Sequence, residues 1–303
     1  MFGFFKGRIN SSRSWRLALM VSVLVASACT PEKKPSAERT EPWLRDDPKG
    51  RTQTTSTKTK YIVGAGANLE LTVPSRRTKP QGTIQGISGH IILDAEQLQF
   101  VQGTIDIDLL QLKMDDQLAL PPSDQLKKVL TPSLEKRLTE QSWSEQAHNW
   151  LGLGSNVSAR TQLARATFSI ESAKELSHPR ASLGATRQVT TSNEAEVLLD
   201  SGKTSRVVNA TVVGRLTLRN ISVARFLRVQ INFIYDGAPS EGVPSAIVIT
   251  LREPFSVPLA EYDIRPRDRA GHHISELNEI VGYLLGNTAL IQGSITLTKA
   301  ALD

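Results

Sequence analysis

Cysteine is almost absent from this chain: its 303 residues contain one, Cys29. A single thiol excludes a disulfide scaffold and any zinc site built on several cysteines. Aromatic residues make up only 5%, too few for the two girdles of a membrane-spanning barrel, and the chain ends Ala301-Leu302-Asp303 without a terminal aromatic. No hydrophobic run reaches the roughly 20 residues of a membrane helix. Nucleophile motifs are missing too. There is no Gly-x-Ser-x-Gly elbow, and Gly152-Leu153-Gly154-Ser155 has the wrong order. Ser201-Gly202-Lys203-Thr204 ends like a phosphate loop, but the glycine required earlier is Val197, so a solvated loop is the better reading. Gly64-Ala65-Gly66 lacks the third glycine of a dinucleotide fingerprint.

An excess of acid is also lacking. The formal net charge is +6 and the pI about 9.5, which invites a nucleic-acid reading until the charge is located. Residues 1–28 carry Lys6, Arg8, Arg13 and Arg16 with no acid, residues 29–60 carry a net +3, and residues 61–303 a net −1. The segment able to fold is close to neutral, so a DNA or RNA partner has no electrostatic basis. The length allows one large domain or two small ones, and 39% hydrophobic content supplies a core.

Four basic residues followed by the apolar run Leu17–Val25 and the small residues Ala26-Ser27-Ala28 have the layout of a secretory signal. A small-residue site ending directly at Cys29 resembles a bacterial lipobox. It implies a signal peptide over 1–28 and an acylated Cys29 that holds the chain on a membrane. The alternative is an ordinary signal peptide with a cysteine nearby. Thr30 stands where aspartate would retain a lipoprotein at the inner membrane. The expected location is therefore the bacterial envelope, on the outer membrane facing the periplasm. Residues 29–60, with Pro31, Pro35, Pro42 and Pro48, read as a disordered tether.

From Tyr61 the dominant signal has period two. Leu69, Leu71 and Val73 alternate with polar residues, as do Ile105, Ile107 and Leu109, then Ala166, Phe168 and Ile170. Val223, Leu227, Val229, Ile231, Phe233 and Tyr235 mark the clearest strand, with Ile247, Ile249, Leu251, Phe255, Val257, Leu259, Ile291, Ile295 and Leu297 following. So many strands with one apolar face predict a mainly β fold over 61–303, an antiparallel sheet closed into a soluble barrel with its apolar side inward. Helix is expected from Ser133 towards Trp150, ended by Gly152 and Gly154, and again over Ile274 to Leu285; residues 176–204 read as a polar loop.

The order of motifs along these strands adds a resemblance. Gly214-Arg215-Leu216-Thr217-Leu218-Arg219-Asn220-Ile221 is similar to the strand and turn "G-x-L-T-I-x-G-V" of the YceI-like family, lipocalin-like barrels of bacterial envelopes. Gly89, Leu93-Asp94, Leu98, Val101, Gly103, Ile105-Asp106 and Leu109 to Leu112 resemble its early hairpin, and Trp150-Leu151 with Ala166, Phe168 and Ile170 its helix and next strand. Phe255 to Asp263 and Ile291 to Ile295 resemble its last strands. The family's turn glycine is Asn220 here, a residue that tolerates positive φ. The resemblance implies a lipocalin-like barrel that holds a long polyisoprenoid-like amphiphile in its lumen and has no enzymatic activity.

On that reading the inward parity of the long strands supplies the lining: Phe168, Ile170, Leu227, Val229, Ile231, Phe233, Ile247 and Ile249. The alternative is a filled barrel serving as an interaction scaffold, with contacts made by the long loops near 113–150 and 176–204. A bound isoprenoid lipid is the only cofactor-like molecule expected, and the sequence names no protein partner. His272-His273 with Glu276 and Glu279 is the only cluster suited to a metal, but adjacent histidines diverge and Arg265, Arg267 and Arg269 disfavour a cation. No metal site or catalytic residue is expected. That arginine run could instead meet anionic headgroups near a barrel mouth, a solvated loop being the default.

Overall fold

The computed structural model of the chain describes residues 58–74, 79–115, 131–132, 141–154, 157–181, 197–198, 203–237, 243–275 and 286–301. The chain divides into two units, Met1–Thr52 and Gln53–Asp303, and all described residues belong to the second. The signal peptide, Cys29 and all but the end of the tether lie outside the described residues.

Thirteen strands form one sheet. They are β1 (Lys58–Val63), β2 (Asn68–Thr72), β3 (Gln81–Ile84), β4 (Ile87–Asp94), β5 (Gln102–Asp108), β6 (Leu112–Met114), β7 (Arg165–Lys174), β8 (Val197–Leu198), β9 (Thr204–Leu218), β10 (Ile221–Tyr235), β11 (Ala246–Leu251), β12 (Phe255–Pro258) and β13 (Thr288–Lys299). The order β1-β4-β5-β7-β9-β10-β11-β13 closes on itself through β1 and β13, where Tyr61 faces Lys299 and Val63 faces Leu297. Every neighbouring pair is antiparallel. The ring is therefore a closed antiparallel barrel, with a strand ladder between every two neighbours, although β10 extends beyond β11 at its Ile221 end.

β2, β3, β6 and β12 prolong this ring. β2 continues β1 beyond a bend at residues 64–67 and pairs with both β3 and β13, while β12 pairs with β13 alone. β9 and β10, each 15 residues, form one long hairpin. Its two-residue turn, Arg219-Asn220, has φ of 51° and 62°, and positive φ at both central residues is the requirement of a type I′ turn. Asn220 is thus well suited to its place, while Arg219 adopts that conformation without the help of a small side chain.

β1 corrects the tether's expected end. Lys58, Thr59 and Lys60 pair with Asp94, Leu93 and Ile92 of β4. Their composition is polar because Lys58 and Lys60 face outward, so no apolar alternation announces the strand before Tyr61. Leu259, expected to extend β12, opens a 3-10 turn at Leu259–Tyr262. The expected loop over 176–204 contains β8, which pairs with β9 from Ser205 to Thr204.

Two helices before β7 lie wholly or nearly wholly among the described residues: α1 (Trp143–Trp150) and α2 (Val157–Leu163). α1 begins at a capping box, Ser142-x-x-Glu145, where the Ser142 hydroxyl accepts from the Glu145 amide at 3.2 Å. It stops at Gly152, whose φ of +81° is the left-handed conformation that favours glycine at a helix end. The amides of Gly152 and Leu153 donate to the carbonyls of Asn149 and His148, a Schellman end. Ser144 docks the helix on the edge of β6, its hydroxyl bonding both the amide (2.9 Å) and the carbonyl (3.3 Å) of Met114. The expected start at Ser133 and the expected helix beyond Ser275 lie outside the described residues.

Candidate ligand-binding site

Alternation places the apolar half of each strand inside the ring. On β10, Val229, Ile231, Phe233 and Tyr235 are buried, while Arg228 and Gln230 on the opposite face are exposed. The interior is not filled evenly along its length. One part is a packed floor. There Tyr61, Phe233, Tyr235, Ile247, Leu297 and Val208 are essentially without exposure. The segment after β7 straps this floor: Leu98 donates to the Pro179 carbonyl and Ala181 to that of Ala95. Side chains fasten it further, since the Tyr61 hydroxyl donates to the Pro244 carbonyl at 2.9 Å and the Tyr235 hydroxyl to that of Ala181 at 2.8 Å.

Away from the floor the lumen is open. A cavity of about 120 Å³ lies among Leu69, Ile105, Phe168, Ile170, Val212, Leu227, Val229, Ile249, Leu251, Phe255 and Ile295. A second, about 130 Å³, lies beside α1 and is lined by Leu71, Ile84, Met114, Trp143, Ala147, Trp150, Leu151, Ala166, Leu218, Leu259 and Ile264. Ile107, Leu216 and Ile291 line both, so the two are adjoining parts of one apolar lumen. The only side-chain hydroxyl in either lining is Ser294. No acid, base or cation among the described residues lines this space. It is suited to an apolar chain, which is held by burial alone at about 0.8 kcal/mol per CH₂.

Five of the residues expected to line the lumen, Phe168, Ile170, Leu227, Val229 and Ile249, do face the 120 Å³ cavity. Ile231, Phe233 and Ile247 do not: they sit in the packed core at 9%, 1% and 0% exposure. The helix residues Trp143, Ala147 and Trp150 line the second cavity although only the strands were expected to supply lining. Their spacing i, i+4, i+7 puts them on one stripe of α1, and the two indoles meet edge to face at 6.4 Å between centroids.

The arginine run is tied inward. Asp263, at φ 52°, receives Arg219 from the β9–β10 turn, Arg267, and Arg265 at 3.2 Å. Arg219 and Arg267 are only 11% exposed. Burial first, and the neighbouring Arg267 second, lower the pKa of Arg219 from its usual value, against the pull of Asp263. Arg269 reaches Glu145 of α1 at 3.2 Å. These contacts pin the loop after β12 to the hairpin turn and to α1. His272 pairs with Asp268 at 3.4 Å, and His273 lies 3.9 Å from Asp263, so the adjacent histidines serve different acids. Among the described residues no three metal-donor side chains come together; Glu276 and Glu279 lie outside them.

The chain matches no protein-family model and no curated protein. It is similar to solved structures at low identity. A polyisoprenoid binding domain from Saccharophagus degradans, implicated in plant cell wall breakdown, shares 8% identity over 80% of this chain and all of that one, with a TM-score of 0.41. BcnA of Burkholderia cenocepacia shares 8% over 77% of this chain and 96% of its own, with a TM-score of 0.39. A YceI protein of Campylobacter jejuni shares 10% over 73% and 85%, with a TM-score of 0.34. The closed antiparallel barrel is established by the chain's own strand pairings.

Proposed function

We propose that the chain is a lipid-anchored envelope protein whose barrel binds a long apolar chain, of the polyisoprenoid-like class, without catalysing a reaction on it. The observation that carries this reading is the apolar lumen itself, two adjoining cavities whose linings offer no nucleophile-and-base pair and no charge. The ligand class is the one implied by the motif resemblance. Acylation of Cys29 and a place on the periplasmic side of the outer membrane belong to the same reading, supported by the basic residues, apolar run and small residues that precede Cys29.

Solvent extraction of the purified chain followed by mass spectrometry tests the ligand. A long-chain lipid is expected, recovered in reduced amount from Ala166→Leu and Ile249→Phe, which add bulk to the two cavities. Clean extracts, together with no uptake of added prenol, refute the lumen reading. The scaffold alternative has one observation in its favour: each cavity is small, near the 150 Å³ of an engineered apolar cavity that takes benzene. It predicts a protein partner, lost on deletion of residues 182–196 while the barrel still folds.

A further inference from the structure

The barrel wall has a gap. β10 pairs with β9 along its whole length, but β11 covers it only from Val229 to Ile234. The last bond across this seam is the Arg252 amide to the Arg228 carbonyl, 2.9 Å. Beyond it, β12 turns away to pair with β13 alone. Residues 221–227 of β10 therefore have no strand partner on that edge among the described residues.

A surface groove of about 410 Å³ occupies the gap, lined by residues 224–228 on one side and by Leu251, Glu253, Pro254, Phe255, Ser256 and Pro258 on the other. Leu227, Leu251 and Phe255 line both this groove and the 120 Å³ cavity. The apolar lumen thus adjoins the outer surface through three apolar side chains at a seam that has no hydrogen-bond ladder among the described residues. Only side chains span it. Arg225, on the inward parity of β10, pairs with Glu261 and lies 5.6 Å from the ring centre of Tyr262. Outside the seam Phe226 is 65% exposed, the most exposed large hydrophobic residue described.

We propose that this gap is a second ligand subsite and the route into the lumen. The ligand is a single-chain amphiphile too long for the cavities, with its tail passing between Leu227, Leu251 and Phe255 and its polar end lying in the groove beside Arg228, Glu253 and Ser256. The proposal rests on the lumen reading. It follows from size and from closure: the cavities hold only a short stretch of chain, the floor is strapped at Ala181, and α1 covers the other region with Trp143 and Trp150. Widening the seam needs no ladder hydrogen bond to break, only movement of Arg225 from Glu261 and Tyr262 and of Arg228 from Glu253, 3.6 Å away and exposed.

The test uses the full chain carrying Cys29→Ser, which leaves no cysteine. Phe226→Cys is labelled with a bulky maleimide-polyethylene glycol, as is Ile92→Cys on β4, the strand diametrically opposite β10 in the ring. Uptake of a pyrene-labelled long-chain alcohol from phosphatidylcholine vesicles is followed for both, with circular dichroism to verify folding. The label at 226 is expected to slow uptake about tenfold relative to the label at 92. Equal rates overturn the subsite and leave the lumen reading standing. No uptake by either protein, or by the unlabelled chain, overturns both. Should Phe226→Cys not fold, Arg228→Cys places the label in the same groove with the same two outcomes.

Discussion

Arg206 and Tyr235 converge on one backbone oxygen: the Arg206 guanidinium at 3.1 Å and the Tyr235 hydroxyl at 2.8 Å both donate to the Ala181 carbonyl. Both side chains are buried, and Ala181 is fully so. The strap that closes the barrel floor is thus held by a polar contact inside an otherwise apolar core. Tyr235→Phe leaves the carbonyl satisfied by Arg206, so it is expected to cost only about 1 kcal/mol, the net worth of one hydrogen bond. Urea denaturation measures this as a lower midpoint with an unchanged slope. A loss well above that would mean that the strap detaches without the phenol.

The same floor predicts sensitivity to alkali. Burial pushes the Tyr61 and Tyr235 phenols well above the usual value, Tyr61 further through its neighbour Tyr235 and Tyr235 despite the opposing pull of Arg206. A raised folded-state pKa favours the proton-bound native form. The resulting stability is complete below the unfolded value near 10 and is lost as pH rises through the folded one. Melting temperature is therefore expected to fall above about pH 10. In an absorbance titration these two phenols should ionise only together with unfolding, and ordinary titration of all four tyrosines would contradict the packing of the floor.

His148 gives the opposite slope at the α1 end. Burial is the main cause that lowers its pKa, with Arg160 adding to the shift and the Leu109 and Leu112 backbone and Asp108 opposing it. Its Nε2 is buried with no hydrogen-bond partner among the described residues. A depressed pKa means that the unfolded chain binds the proton more readily below about 6.5. The stability is present above that value and lost as pH falls through the folded pKa. Melting temperature should drop between pH 7 and pH 5, and His148→Gln should flatten that drop. An unchanged slope in the variant would place the acid sensitivity elsewhere.

Glycine positions separate strain from crowding. Gly89 has φ +132°, and a Cβ there would stand 2.1 Å from the Thr104 carbonyl of β5. Gly66 has φ +83° with nothing within 4 Å of the same atom. Gly66→Ala is expected to cost about 1 kcal/mol through backbone conformation alone. Gly89→Ala must also push two paired strands apart, and should cost about 3 kcal/mol or more. Equal losses in denaturant melts would show that β4 and β5 have room to separate.

What alternation made legible was the face of each strand, not its depth along the barrel. Leu227, Val229, Ile231 and Phe233 share one parity, but the first two face the cavity and the last two lie in the packed core. Depth depends on the strap at Ala181, whose sequence is small and polar and carries no period. Ala147, Trp143 and Trp150 carry no sequence signal as lining because their role depends on where α1 docks, through Ser144 and Met114, which no local pattern encodes. Arg225 breaks the apolar parity of β10 at the position where the wall loses its neighbour. In the sequence it reads only as an interruption.

The proposed membrane attachment through Cys29 is separable from attraction by charge. Residues 29–60 carry a net +3, worth about 1 kcal/mol per basic residue near an anionic surface and largely screened at 1 M salt, where the Debye length is about 3 Å. Acyl chains contribute about 0.8 kcal/mol per buried CH₂ and do not depend on salt. The unmodified-sequence protein is therefore expected to stay with membranes through a 1 M salt wash, and Cys29→Ser to appear in the soluble fraction. Retention of Cys29→Ser after that wash would exclude Cys29 as the anchor and leave the apolar run at Leu17–Val25, uncleaved, as the segment holding the chain.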